Sequence, residues 1–301
     1  MDLVIQTPRV PRGGESVLAN SYSYIPGGKG ANQAVAAARL GAAVSFAGRI
    51  GADAAGRELK ENLSREGICV DFLEIDSVNS TGIANILVEE NGQNRILVIP
   101  GANMHNDKAN LKRAFERPYD AVIVQFEIPV EIVTETVRLA NLHGIPVVVD
   151  AGPARAFPLE KLGHVSILSP NETEAETLTG MPADDENCEA VSLALKKRCP
   201  ADIIVLKRGE RGAYMYQNGA GMFFPAYPVK AVDTTAAGDA FTAALAVEYA
   251  AGGDIGEAIR FANAAGALAV TKLGAQISMP RREEIEALLS NTKTAYKEET
   301  Q

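Results

Sequence analysis

The feature that most constrains this chain is an alternation that begins at about Val44, in which short β-rich runs are followed by segments of helical period. Residues 121–125, 130–143 and 146–150 read as strand, helix and strand, and such triplets are βαβ units. The further runs at 166–169 and 203–207 are apolar without interruption, as strands must be when helices cover both faces. The expected fold is therefore α/β, a doubly wound, mostly parallel sheet flanked by helices.

Two segments depart from this rhythm, 3–24 and 81–100. In the second, runs at 82–89 and 95–99 flank Asn91-Gly92, a dipeptide that favours a tight hairpin turn. A hairpin inserted into an α/β chain does not readily join a parallel sheet, so a small separate β-sheet lid is expected over one edge. The predicted division is a core of 25–80 and 101–290, a lid of 1–24 and 81–100, and a polar tail of 291–301. Residues 236–251 and 255–271 are alanine-rich and helical in period, whereas the stretch after Leu289 is polar and expected to fray.

A chain of 301 residues can bury a substantial core. Its 38 acidic and 29 basic residues leave a net charge of −9, the wrong sign for a general binder of nucleic acid or anionic membrane, so an anionic ligand has to be held locally. Three cysteines, Cys69, Cys188 and Cys199, have no C-x-x-C spacing and suit a reducing compartment. No apolar run reaches the length of a membrane helix, and Met1-Asp2-Leu3-Val4 lacks the basic and apolar regions of a signal peptide; a cytoplasmic location is expected. His105, His143 and His164 show neither metal spacing nor a partnered nucleophile.

Chemistry concentrates in two strings. Residues 232–241, Val-Asp-Thr-Thr-Ala-Ala-Gly-Asp-Ala-Phe, place small side chains ahead of an apolar helix. Small residues let a ligand approach the backbone, and the unpaired amides at a helix start face it with partial positive charge. Amides of Ala236, Ala237 and Gly238 could then stabilise a phosphoryl group in transfer, with Asp239 as the base for an attacking hydroxyl. A plain helix cap by Thr235 or Asp239 fits the same residues.

The second string is Pro26-Gly27-Gly28-Lys29-Gly30-Ala31-Asn32-Gln33. It is no Walker loop, because Gly30 follows Lys29, and no dinucleotide fingerprint, because no strand precedes it and the third glycine is absent. A polar substrate held by backbone, Lys29 and Asn32 is one reading, and a glycine turn opening a helix is the other.

Together, Gly-Gly-Lys-Gly-Ala-Asn-Gln-Ala and Asp-Thr-Thr-Ala-Ala-Gly-Asp-Ala-Phe closely resemble the two motifs of the ribokinase family of carbohydrate kinases. The resemblance spans nearly the whole chain, including Ser169-Pro170-Asn171-Glu172-Thr173-Glu174, Gly209-Glu210-Arg211-Gly212 and Gly274-Ala275-Gln276. It implies a ribokinase-like core with a β lid that pairs in a homodimer, and ATP-dependent phosphorylation of D-ribose at O5. Another small sugar or a nucleoside as acceptor, or a non-catalytic sugar- or nucleotide-binding relative, are the alternatives. Asp2, Gly28, Lys29, Asn32, Glu127 and Asp239 would hold the sugar, under Ala84, Ile86 and Val98 of the lid.

Asn171, Lys207, Gly209, Gly212, Gly238 and Asn263 would line the nucleotide site. The Asn-x-x-Glu of Asn171 and Glu174 would position Mg²⁺, partly through water, although the same pattern is also a helix capping box. Asp233, Thr235, Ala269, Lys272, Gly274 and Ser278 would hold K⁺, mostly by backbone carbonyls. Lys207 and Arg208 stand where relatives often have Thr and Leu, and Asn263 where some carry His. Relatives begin with an apolar strand ending in Gly-Ser-x-Asn-x-Asp, and Met1-Asp2 matches only its last two positions, so the first core strand is expected to be missing.

Overall fold

The computed structural model describes residues 1–91 and 93–298, with side chains described as far as Asn291. In chain order the elements are β1 (Asp2–Thr7), β2 (Ser21–Ile25), α1 (Lys29–Arg39), β3 (Ser45–Gly51), α2 (Ala54–Arg65) and β4 (Cys69–Asp76). The hairpin β5 (Ile83–Glu89) and β6 (Asn94–Ile99) follows, then α3 (Lys108–Ala114), β7 (Val122–Gln125), α4 (Val130–Leu142), β8 (Val147–Asp150) and β9 (Val165–Ser169). The chain continues through α5 (Glu172–Thr179), α6 (Cys188–Arg198), β10 (Ala201–Lys207), β11 (Ala213–Gln217), β12 (Ala220–Phe224), α7 (Ala237–Ala250), α8 (Ile255–Ala269) and α9 (Arg282–Glu298).

The main sheet has the order β12-β11-β10-β9-β8-β7. Strands β7 to β10 run parallel and the β11–β12 hairpin adds antiparallel to β10. Side chains alternate between its faces, as the two-residue strand period requires. Val147, Val149, Leu168, Ile204 and Leu206 meet Val137 of α4 and Val191 and Leu195 of α6 on one side. Val148, Ile167, Ile203 and Val205 meet Phe241 and Leu245 of α7 and Ile259 of α8 on the other. Each of these buried aliphatic side chains contributes about 1.5–3 kcal/mol through removal from water, which explains why the strands read as unbroken apolar runs.

The fold is thus the expected α/β class with a small accessory sheet. That second sheet has the order β2-β1-β5-β6 and brings residues distant in sequence together, Asp2 beside both Ile25 and Ala84. Of the Asn91-Gly92 turn, Gly92 lies outside the described residues, while Asn91 Oδ1 accepts a hydrogen bond from the Gln93 amide at 2.8 Å.

Strands β3 and β4 form a parallel pair of their own. An apolar trench lined by Phe46 and Ile50 from β3 and Val122 and Val124 from β7 runs between this pair and the main sheet. The structure differs from the sequence reading at three places. Strand β2 ends at Ile25, directly ahead of the Pro26-Gly27-Gly28 string that was expected to follow no strand. Helix α9 runs to Glu298 through the stretch expected to fray, and residues 299–301 lie outside the described part. The β11–β12 hairpin was not predicted, although its turn, Asn218-Gly219 with both φ values positive (51° and 82°), carries the same signal as Asn91-Gly92.

Candidate active site

In the parallel part of the main sheet the carboxyl ends of the strands share one edge, the usual place for a ligand in such folds. Glu127 lies just beyond β7, Asp150 closes β8, Asn171 follows β9 and Lys207 closes β10. The starts of α1 and α7 meet at this edge, because their small residues Ala34, Val35, Ala240 and Ala243 share one buried cluster.

Helix α1 opens at Gly28, whose φ of 94° is the left-handed conformation that favours glycine. The Lys29 amide donates to Glu127 Oε2 at 3.0 Å, which anchors the turn across the cleft. Its ammonium lies 3.2 Å from Asp150 Oδ2 and 3.6 Å from Asp239 Oδ1. Lys29 passes close over Gly152, where a Cβ would crowd its ammonium and the Glu174 carboxylate. Burial pulls the lysine toward the neutral form, but Asp150, Asp239, Glu174 and Glu127 outweigh it and hold its pKa above the ordinary value.

Helix α7 opens at Ala236, held in the left-handed region with φ 60° and ψ 10°, and no side chain caps the first turn. Among the described residues no acceptor meets the amides of Gly238 and Asp239. Asp239 is buried, and its carboxylate is gripped from α1: Asn32 Nδ2 donates to Oδ2 at 2.8 Å and Gln33 Nε2 to Oδ1 at 3.2 Å. Burial raises its pKa above the usual aspartate value, against the opposing charge of Lys29. Glu127 is raised as well, again chiefly by burial. The buried Asn32 Oδ1 has no hydrogen-bond partner among the described residues, leaving an acceptor without a donor in the cleft.

On the opposite side, Asn171 and Glu174 form a complete capping box: the Glu174 amide donates to Asn171 Oδ1 at 2.8 Å and the Asn171 amide to Glu174 Oε2 at 2.7 Å. Lys207 is buried and donates to Asp150 Oδ1 at 2.5 Å, with Glu174 4.0 Å away. Arg208 is buried too, paired with Asp185 and stacked 4.9 Å over Phe223. Neither member of this basic pair projects into solvent. Gly209 and Gly212 shape the turn after β10, and Asn263 of α8 donates to the carbonyls of Phe224 and Pro225.

The residues singled out for sugar and nucleotide, from Asp2 to Asn263, all line one continuous cleft beneath Ala84, Ile86 and Val98 of the small sheet. Burial raises the pKa of Asp2, opposed by the neighbouring amino terminus. Of the residues proposed for a monovalent cation, only Thr235 lines the cleft. Behind it, Asp233 accepts from the Thr235 amide at 2.9 Å, the Thr235 hydroxyl at 2.6 Å and the Gly274 amide at 2.9 Å. The Ala269 carbonyl accepts from the Lys272 amide, the Lys272 ammonium pairs with Glu284, and the Ser278 hydroxyl bonds the Ala275 carbonyl. Among the described residues no three acidic, histidine or cysteine side chains gather as a metal cage, and no helix is long and apolar enough to cross a membrane.

Two residues of the site escaped the sequence reading. Asp150 is fully buried and holds Lys207, Lys29 and Gln33, and Gln33 joins Asp150 to Asp239 through a single amide nitrogen. The signal for Asp150 was present: one carboxylate at the end of Val147-Val148-Val149, where a parallel strand delivers its last residue to the ligand edge.

A buried carboxylate in the first turn of a helix with open amides, facing a polar cleft, is the equipment of a phosphotransferase acting on an alcohol. The sequence profile of pfkB family carbohydrate kinases matches residues 1–282, and the chain belongs to that family. It is 41% identical to the ribokinase of Bacillus subtilis over 292 residues, 96% of each chain, and 35% identical to the deoxyribokinase of Salmonella typhi over 294 residues, 96% of each. The structure of Arabidopsis thaliana ribokinase complexed with ribose and ATP superposes with a TM-score of 0.88 at 34% identity, covering 96% of this chain and 95% of that one.

Proposed function

We propose that this chain phosphorylates D-ribose at O5 with ATP, giving D-ribose 5-phosphate and ADP. The observation that carries this reading is Asp239, buried at the open start of α7 and turned toward Lys29 and Asn32 of α1. Asp239 accepts the proton of the attacking hydroxyl, and the amides of Ala236, Ala237 and Gly238 receive the charge that develops on the migrating phosphoryl group. Its pKa, raised by burial, makes it a stronger base than a free aspartate. Asp2, Gly28, Lys29, Asn32 and Glu127 bind the sugar; the unpartnered Asn32 Oδ1 is an acceptor for one of its hydroxyls. Lys207, Gly209, Gly212, Gly238, Asn171 and Asn263 form the nucleotide side.

One carboxylate and one amide oxygen, Glu174 and Asn171, suit Mg²⁺, which keeps several waters and otherwise takes phosphate oxygens. Because their capping box already fixes both groups, contact through water costs the helix nothing. Bound Mg²⁺ would neutralise the phosphates. The carboxylate of Asp233, the Thr235 hydroxyl and carbonyls of the 269–278 segment are oxygen donors of the kind K⁺ accepts, and an ion there would order the segment that presents the α7 amides. Tyr22 and Tyr24 on β2, with Leu97 and Ile99 on β6, leave the accessory sheet with exposed apolar side chains, which supports a homodimer through the lid. Three unpaired cysteines fit a cytoplasmic setting.

A coupled assay with ribose, ATP, Mg²⁺ and K⁺ tests the reading, with 2-deoxyribose and fructose as rivals. Similarity to a deoxyribokinase makes deoxyribose the second candidate. A higher kcat/KM for deoxyribose than for ribose would transfer the assignment to that sugar, and turnover of none of the three would remove the kinase reading.

A further inference from the structure

Asp150 belongs to neither half of the cleft as read above, yet both halves converge on it. Its Oδ1 accepts from Lys207 of β10 at 2.5 Å, while Oδ2 accepts from Lys29 at 3.2 Å and from Gln33 at 2.8 Å, both of α1. Gln33 and Lys29 in turn touch Asp239. A carboxylate with no exposure to solvent is costly unless charge and hydrogen bonds compensate it, and here two ammonium groups and an amide do so. Burial alone would raise the pKa of Asp150, but Lys207 and Lys29 reverse this and hold it low.

We infer that Asp150 is a positioning residue that couples the nucleotide side of the cleft to the base, by dividing its charge between Lys207 and Lys29. Lys207 stands close to the helix start, the nearest heavy atom to a Cβ built at Gly238. When nucleotide phosphate draws Lys207 away, Asp150 is left to Lys29, and Lys29 turns from Asp239 toward it. Asp239 is thereby released from its cationic partner and gains proton affinity as the donor arrives. The charged groups that face this pair are Lys29 from α1, Glu127 beyond β7, Glu174 from α5 and Lys207 from β10.

The inference rests on the kinase reading for its purpose, but its test does not need turnover. The midpoint of Asp239 is followed by carboxyl ¹³C NMR in the intact protein and in two variants. Removal of a nearby charge moves a midpoint by about one pH unit or more, so Asp150→Asn is expected to lower that of Asp239 and Lys207→Met to raise it. Acid limbs of kcat/KM should move the same way, and Asp150→Glu should recover much of the wild-type profile. Because Lys207 also faces Asp239 directly, Lys207→Met is measured in the Asp150→Glu background as well. A smaller shift there than in the parent is expected, and an equal shift in both would overturn the coupling, even if Asp150→Asn fails to fold. Midpoints that stay fixed, or move together in both variants, would reduce Asp150 to a structural ion pair. Absence of wild-type turnover alongside opposed midpoints would retire the kinase and keep the coupling.

Discussion

Asp233 and Asp239 lie six positions apart in one string, and the fold treats them in opposite ways. Burial works against ionisation at both. At Asp233, which is only partly buried, hydrogen bonds from Thr235 and Gly274 overcome it, and the pKa falls below the ordinary value. At Asp239, which is 4% exposed, burial and the nearby Asp150 prevail over Lys29 and Asn32, and the pKa rises. One residue type thus yields a clamp at the loop that favours its charged form and a carboxylate at the helix that more readily takes a proton. Depth and partners set the role, in keeping with the rule that environment divides acids from bases.

The contrast is greatest at the base itself. Asp239→Asn is expected to lower kcat by about 10²–10⁴-fold, the usual contribution of a general base, a far larger loss than that in ribose affinity read by calorimetry. An equal loss on Asp233→Asn would mean that the two carboxylates share one task. Next in size is Asn32→Ala, which removes a charge-assisted hydrogen bond worth about 1.5–3 kcal/mol; kcat/KM should fall by about 10–100-fold in steady-state kinetics.

The pH dependence separates the two aspartates by sign. Asp239 works only when ionised, so log kcat/KM should drop with decreasing pH around a midpoint above the ordinary aspartate value near 3.9. Its raised pKa makes its contribution to folding fully present below the unfolded value and lost as pH rises through the folded one. Asp233 does the reverse, stabilising above its unfolded pKa and losing that as pH falls through its depressed one. Thermal unfolding of Asp233→Asn against the parent from pH 3 to 7 should therefore show a gap that closes toward acid; a gap constant with pH would argue against the clamp.

The smallest effect concerns the residue that joins the two regions. Ala236 in the left-handed conformation costs about 1–2 kcal/mol, and glycine's extra unfolded-state freedom costs about 0.5–1 kcal/mol. Ala236→Gly should stabilise the fold by a net of about 0.5–1 kcal/mol, visible as a slightly higher Tm. A lower Tm would show that the strain has been misread.

Much of this was legible beforehand because it is local. The runs at 121–125 and 203–207 appear as β7 and β10 within two residues, since unbroken apolar stretches of that length are tolerated only where two helical layers cover a sheet. The Gly-Gly-Lys and Gly-Asp strings stand out because they occur together, since each alone also fits a glycine turn or a helix cap. Asn171 and Glu174 were open to two readings; in the structure they form the cap, and the metal role is a proposal beside it. Asp150 and Gln33 were overlooked because nothing in their neighbours along the chain marks them: their partners stand 57, 117 and 121 positions away.

The sequence by itself determined the layered α/β architecture, the separate small sheet and the two strings that meet at the cleft, because hydrophobic period, turn chemistry and helix starts are all written within a few residues. Only the tertiary structure decided which carboxylate is buried, which lysine it shares, and that Lys207 and Arg208 turn inward. Charge balance in a buried site depends on distances across the sheet edge, and those are set when α1 and α7 pack together over strands from the middle of the chain.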